Sequence, residues 1–205
     1  MLDKARVAVL VSGGGTNLQA IIDAEKSGII RSGEVVLVVS NSADAYALER
    51  AKTNGIETAV VLKSDYGSRE AFCTALGDLL EEKKIDLTVL AGFMCILTKS
   101  FTDRFANRII NVHPSLIPSF CGEGFYGIKV HEEALKYGVK VSGATVHFAN
   151  EVPDGGKIIF QKAVEIQDGD TPEVLQRRIM EQAEWILLPK AVEKISKEIV
   201  EKRSF

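Results

Sequence analysis

Asn111 and His113 are the pair in this chain best suited to chemistry. They close the run Arg108-Ile109-Ile110-Asn111-Val112-His113-Pro114-Ser115-Leu116. Ile109, Ile110 and Val112 are β-branched and apolar, as a buried strand prefers, and Pro114 cannot donate to a ladder, so the strand ends at the histidine. Side chains two apart on a strand share a face. A carboxamide and an imidazole therefore converge at the C-terminal end of a strand, where open α/β sheets bind their ligands. Asp154, in the turn sequence Pro153-Asp154-Gly155-Gly156, supplies the carboxylate that such a pair needs. Beside His113 it would favour imidazolium and raise the pKa of the histidine. A fixed donor, a proton carrier and a tuning charge suit acyl-type transfer, whose intermediate carries an oxyanion and whose leaving group must be protonated. No serine or cysteine stands beside a base, which favours direct transfer over a covalent acyl-enzyme. The alternatives are structural: a histidine that ends a strand by bonding a nearby carbonyl, and an Asp-Gly turn that serves only its own hairpin.

A second stretch suits an anion. Ser12-Gly13-Gly14-Gly15-Thr16-Asn17 lies between an apolar strand and a helical pattern, the arrangement that binds phosphate at a helix N-terminus. The dinucleotide fingerprint fails, because with its first two glycines on Gly13 and Gly15 the third would fall on Leu18. No Lys-Ser/Thr follows, so the nucleoside-triphosphate loop is excluded as well. What remains is a small cradle made by the amides of Gly15, Thr16 and Asn17, with Thr16 as the cap. A tight turn is the alternative, although three consecutive glycines are more than a turn requires. Two further features stand out. Arg69 opens a helix, where a cation meets the positive end of the dipole. Gly92-Phe93-Met94-Cys95-Ile96-Leu97 is an apolar loop directly after a strand, fit either to line a pocket for a flat heteroaromatic ligand or to be core.

The elements that position these residues alternate. Strands are expected at Arg6–Val11, Glu34–Ser40, Glu57–Leu62, Asp86–Ala91 and Arg108–His113. Helical patterns follow each of the first four: Leu18, Ile21 and Ile22 up to Gly28; Ala43–Asn54; Phe72, Leu76, Leu79 and Leu80; and Lys99–Phe105. Five β–α repeats indicate a parallel, doubly wound, Rossmann-like sheet. After the glycine-rich loop Phe120–Gly127 and a helix around Val130–Tyr137, two strands, Val141–Phe148 and Lys157–Ile166, have no helix between them. They predict an antiparallel extension. Thr171-Pro172-Glu173 starts a long C-terminal helix running to about Lys202, bent or broken near Pro189. The reading is one α/β domain over 1–205, with a phosphate-binding half at about 1–100 and a catalytic half at about 101–205.

Composition narrows the class. With 25 basic against 28 acidic residues the net charge is −3, and no basic block points to nucleic acid. Cys73, Cys95 and Cys121 are scattered without pair spacing, which argues for a reducing compartment, the cytoplasm, and against a disulfide frame. Three dispersed histidines predict no metal, and no apolar run reaches the ~18 residues a membrane span needs.

Five separated motifs resemble the folate-dependent formyltransferases: Val11-Ser12-Gly13-Gly14-Gly15-Thr16-Asn17-Leu18-Gln19-Ala20-Ile21, Ser68-Arg69-Glu70-Ala71, Leu90-Ala91-Gly92-Phe93-Met94, Asn111-Val112-His113-Pro114-Ser115-Leu116, and Gly143-Ala144-Thr145-Val146-His147-Phe148 leading to Asp154-Gly155-Gly156. The resemblance spans nearly the whole chain. It implies transfer of the formyl group of 10-formyltetrahydrofolate, as co-substrate, to the amine of phosphoribosylglycinamide in purine biosynthesis. It assigns Asn111 and His113 as the catalytic pair with His113 as proton donor, and Asp154 as the group that raises its pKa. It assigns Gly15, Thr16, Asn17, Gly92 and Glu184 to the phosphoribosylglycinamide, and Arg69, Met94, Cys95, Ile96, Leu97 and Asn111 to the folate. Members commonly carry arginine at the position of Cys95, so contact there would be through the backbone. The glycines of Cys121–Gly127 suggest a flap over the cleft, and His147 reads as a satisfied sheet histidine. The expected partners are these two small molecules, with a monomer or homodimer and neither nucleic acid nor membrane. Two alternatives are a formyltetrahydrofolate deformylase, which shares the Asn–His–Asp logic but normally carries an extra N-terminal domain, and a non-catalytic nucleotide-binding module.

Overall fold

The computed structural model describes residues 4–203. Seven strands form one sheet: β1 (Ala5–Val11), β2 (Gly33–Ser40), β3 (Glu57–Val60), β4 (Leu87–Leu90), β5 (Ile109–His113), β6 (Val141–Phe148) and β7 (Ile158–Glu165). Their order is β3-β2-β1-β4-β5-β6-β7, parallel through β5 and antiparallel from β5 to β7. The mostly parallel sheet and its antiparallel extension are as the sequence predicts. β1 alternates its side chains between two cores. Val7, Val9 and Val11 enter one, and Ala8 and Leu10 enter the other, which is why such strands read as unbroken apolar runs.

One face is covered by α1 (Thr16–Lys26), α2 (Tyr46–Thr53), α6 (Pro172–Ile179) and α7 (Trp185–Arg203). The other is covered by α3 (Arg69–Glu82), through Phe72, Cys73, Leu76 and Leu80, and by α4 (Lys99–Arg104). A short helix, α5 (Lys129–Tyr137), packs on α6. The chain leaves β1 for β2 on one side and reaches β4 on the other, so the strand order reverses between β1 and β4. That reversal opens a crevice at the C-terminal ends of the strands. Ser12 Oγ, just beyond β1, accepts a 2.7 Å bond from the Met94 N–H, just beyond β4, and so ties the two lips together.

Two expectations need correction. Thr16 does not cap α1. Gly15 is the N-cap, with φ 72°, and Thr16 is the first helical residue. Gly15 is needed twice over, because that φ favours glycine and an added Cβ would lie 2.6 Å from the Ala47 Cβ. The irregularity of the C-terminal helix also falls earlier than Pro189. It is a π-helical turn at Met180–Glu184 between α6 and α7, while Pro189 sits inside α7. Proline removes one donor and crowds the carbonyl four residues back, so the widened turn lies just upstream.

Candidate active site

The site is built where β5 ends. Antiparallel pairing sets His147 of β6 opposite Asn111 and Thr145 opposite His113. The chain then turns back, with the Gly155 N–H donating to the Val152 carbonyl at 3.0 Å. Asp154 occupies the left-handed region at φ 57°, which its short polar side chain tolerates better than most. Gly156 passes so close to the Phe148 carbonyl that a Cβ would lie 1.6 Å from its oxygen. The turn and the carboxylate are thus one device, since the turn aims the side chain.

Asp154 Oδ2 lies 3.4 Å from His113 Nδ1 and accepts the Gly122 N–H at 2.9 Å. Its Oδ1 lies 3.4 Å from Asn111 Nδ2 and 3.5 Å from His147 Nε2. Asn111 Nδ2 is also 3.2 Å from His147 Nε2, and His147 Nδ1 is 2.8 Å from the Phe148 carbonyl. A carbonyl only accepts, so His147 Nδ1 carries a proton and donates to Phe148. His113 Nε2 lies 2.8 Å from the Phe120 carbonyl and therefore carries a proton. His113 both ends a strand by bonding a carbonyl and faces a carboxylate, so neither reading of it displaces the other.

Opposing effects act on His113. Burial holds the His113 imidazole below the ordinary histidine value. The Asp154 charge and the Phe120 carbonyl push upward, against this and against His147, without reversing it. Asp154 acts in the expected direction, but the net shift is down, because the sequence does not reveal how deeply the ring is buried. Burial also works to raise the Asp154 carboxyl, and the His147 ring, the charge of His113 and the Gly122 N–H more than offset it. Asp154 is the charged member of the group, and neutral His113 donates through Nε2.

Around this group lies a cavity of about 850 Å³. Asn111, His113 and Asp154 line it together with Gly92, Met94, Cys95, Ile96, Leu97, Asn17 and Glu184. At one end the loop after β4 is apolar, and Met94 and Ile96 remain 54% and 49% exposed. Exposed apolar side chains in a concave wall are what a flat heteroaromatic ligand would cover. Of the expected cradle Asn17 lines the cavity, and Gly15 and Thr16 do not; they stand beside it at the N-terminus of α1, whose first-turn amides have no intrahelical acceptor. A Cβ added at Gly13 or Gly14 would meet nothing within 4 Å, so open room lies beside them.

Asn17 Nδ2 donates to Glu184 Oε2 at 2.7 Å, joining α1 to the π turn. Burial raises the pKa of the Glu184 carboxyl, against the Asn17 hydrogen bond, which lowers it. A protonated carboxyl repels a neighbouring anion less than a carboxylate does. Arg69 stands apart. It is exposed on the first turn of α3, behind its Ser68 cap, and is not on the cavity wall. Its charge still reaches Cys95, whose thiol burial pushes up while Lys63 and Arg69 pull it down. The cavity also crosses the expected division at about residue 100, since the loop after β4 and Asn17 meet residues of the later half.

Two residues gain importance from the structure. His147, expected to be a satisfied sheet histidine, is satisfied by Asn111 and touches Asp154. Its pairing register with β5 could have found it. His131 of α5 also lines the cavity, and no local signal marks it.

The geometry has close relatives. A family model described as formyl transferase matches residues 5–192. A phosphoribosylglycinamide formyltransferase of Haemophilus influenzae is 45% identical over 177 residues, 86% of this chain and 81% of that protein. The trifunctional purine biosynthetic protein adenosine-3 of Gallus gallus is 44% identical over 194 residues, 95% of this chain, and the chain spans only 19% of that longer protein. The crystal structure of glycinamide ribonucleotide transformylase 1 from Symbiobacterium toebii superposes with a TM-score of 0.89 at 42% identity, covering 95% of this chain and 89% of that one. A superposing fold, a family match over residues 5–192 and identity at this level over most of both chains have one explanation: this chain belongs to the formyl transferase family.

Proposed function

We propose that the chain transfers the formyl group of 10-formyltetrahydrofolate to the amine of phosphoribosylglycinamide by direct attack, with no covalent enzyme intermediate. The observation that carries this reading is the meeting of Asn111, His113 and Asp154 in one cavity that the apolar loop after β4 and Asn17 of α1 also line. The names of the relatives support the choice of substrates.

The residues present suit both ligands. The pterin ring would lie against Met94, Cys95, Ile96 and Leu97, with Cys95 contacting it through the backbone and Asn111 beside the reacting end. Arg69, outside the wall, would meet the acidic tail of the folate at the rim. The phosphate would rest on the amides of Gly15, Thr16 and Asn17, with Gly92 and Glu184 along the nucleotide. The substrate amine then attacks the formyl carbon. Asn111 and His113 hold the oxyanion, and the leaving folate nitrogen takes a proton by way of His113. Asp154 favours the imidazolium that forms. The 3.4 Å contact from Asn111 Nδ2 to Asp154 is long for a hydrogen bond, so an oxyanion can claim that donor at little cost. The Phe120 carbonyl must release Nε2, which makes the Phe120–Gly127 loop the moving part.

The test is an absorbance assay for folate release with and without phosphoribosylglycinamide. Release that requires the amine supports the transferase. Release that ignores it indicates a deformylase, and no release indicates a binding module.

A further inference from the structure

His131 has no part in the chemistry above, and its surroundings ask for one. It lies in the first turn of α5 and is 0% exposed. Neither of its ring nitrogens has a hydrogen-bond partner among the described residues. Leaving a buried polar group unpaired forfeits its bonds to water with no return, and folded proteins keep few such groups. An apolar side chain would fill the same space without that cost.

The ring forms part of the cavity wall, together with Asn17, Gln176, Met180 and Glu184. His113 and Asn17, in the first turn of α1, line the same cavity. Asn17 Oδ1, on the same wall, is also buried without a partner. Two residues that line one cavity thus each keep a buried polar group with bonding capacity unused.

The protonation state narrows what they take. Burial, and then the charge of His113, bring His131 down to about 4, so at neutral pH its ring is uncharged. A neutral imidazole offers one donor and one acceptor. That suits a hydroxyl or a carboxamide, each of which both gives and accepts. It suits phosphate poorly, and the helix amides already serve phosphate.

We propose that His131, with Asn17 Oδ1, binds the middle of the nucleotide substrate, the sugar hydroxyl or amide groups between the phosphate at α1 and the amine at His113. The inference rests on the reading of the site given above. It makes His131 a specificity residue for the nucleotide, with no contact to the folate.

The test begins with the unaltered protein, labelled with ¹⁵N-histidine. Phosphoribosylglycinamide is expected to shift the ring-nitrogen resonances of His131, and tetrahydrofolate alone to leave them in place. In steady-state kinetics His131→Phe should raise the nucleotide KM about tenfold, the loss of roughly one good hydrogen bond. The folate KM should not change, and the melting temperature of the free protein should not fall. His131→Gln, which keeps a donor and an acceptor, should recover part of the affinity. A nucleotide KM in His131→Phe equal to that of the unaltered protein, with or without a lower melting temperature, would make the ring a packing group and overturn the proposal. If the variant does not fold, the resonances decide. Calorimetry separates the two levels of argument. No nucleotide binding to the unaltered protein sinks the reading of the site, whereas binding that leaves His131 unmoved sinks this inference alone.

Discussion

Asn111 spends its amide protons inside the protein, on His147 and Asp154, and His113 gives Nε2 to a loop carbonyl. The resting site is therefore satisfied internally, and a substrate oxygen competes for donors already in place. If Asn111 supplies the oxyanion bond, Asn111→Ala should lose about a hundredfold to a thousandfold in kcat with a smaller change in KM; near-normal turnover would remove it from the mechanism. Asp154→Asn should move the His113 pKa further down, because it deletes the charge that opposes burial, and activity should fall with it. An NMR titration that finds His113 unmoved would refute that role. His131 gives a pH dependence of known sign. Its folded pKa of about 4 lies below the ordinary 6.5, so below pH 6.5 the unfolded chain binds more protons. Stability should decline as pH falls from about 6.5 to about 4, by on the order of 3 kcal/mol at most. Denaturant titrations of the unaltered protein and His131→Phe across that window should differ in slope. At this scale the sequence was informative about which atoms meet and uninformative about their charge. Spacing two on a strand and an Asp-Gly turn are local facts, whereas the net downward shift of His113 depends on packing contributed by the whole fold.

The glycine turn after β1 separates two uses of one residue type. Gly15→Ala combines a left-handed backbone with a clash against Ala47 on α2, so it should destabilise the fold by roughly 2 kcal/mol or more. Gly13→Ala meets no neighbour and should leave the melting temperature nearly unchanged while weakening nucleotide binding, if the ligand backs onto that space. Equal effects of the two substitutions on stability would refute the distinction. Far from the site, Glu193 on α7 accepts from the Arg31 and Ser32 N–H groups and from Ser32 Oγ. Glu193→Ala leaves three donors seeking water and should cost about 1–3 kcal/mol in chemical denaturation. The order of elements was legible because each strand and helix repeats its own period. The π turn was not, because it answers Pro189 and the packing of α7 together. Arg69 shows a different limit. Its misplaced charge drew notice, yet only the fold places it outside the cavity wall.

Across the whole molecule, the crevice at the strand-order reversal gathers groups from distant parts of the chain. No helix among the described residues is long and apolar enough to cross a membrane. α7 packs on α1, β1 and β2, so the last helices cover the face that the first strand begins. A chain ended at residue 170 is expected to lack a cooperative melting transition and to bind no nucleotide. A sharp transition from that fragment would mean that α6 and α7 are an appendage and not part of the core. The parallel order and the antiparallel extension could be read from β–α alternation and from the missing helix between β6 and β7. The meeting of Asn17 with Glu184 is a property of closure that no local pattern carries.

That meeting has a consequence in time. Asn17 and Glu184 are 167 residues apart, and ribosomes add about 5–20 residues per second. The first strands and the glycine turn therefore leave the ribosome roughly ten to thirty seconds before the helix that completes their pocket exists. Through that interval Val7, Val9, Val11 and their neighbours on β2 have no α7 to cover them. During synthesis, this protein is most exposed to aggregation at the end of the chain that is made first.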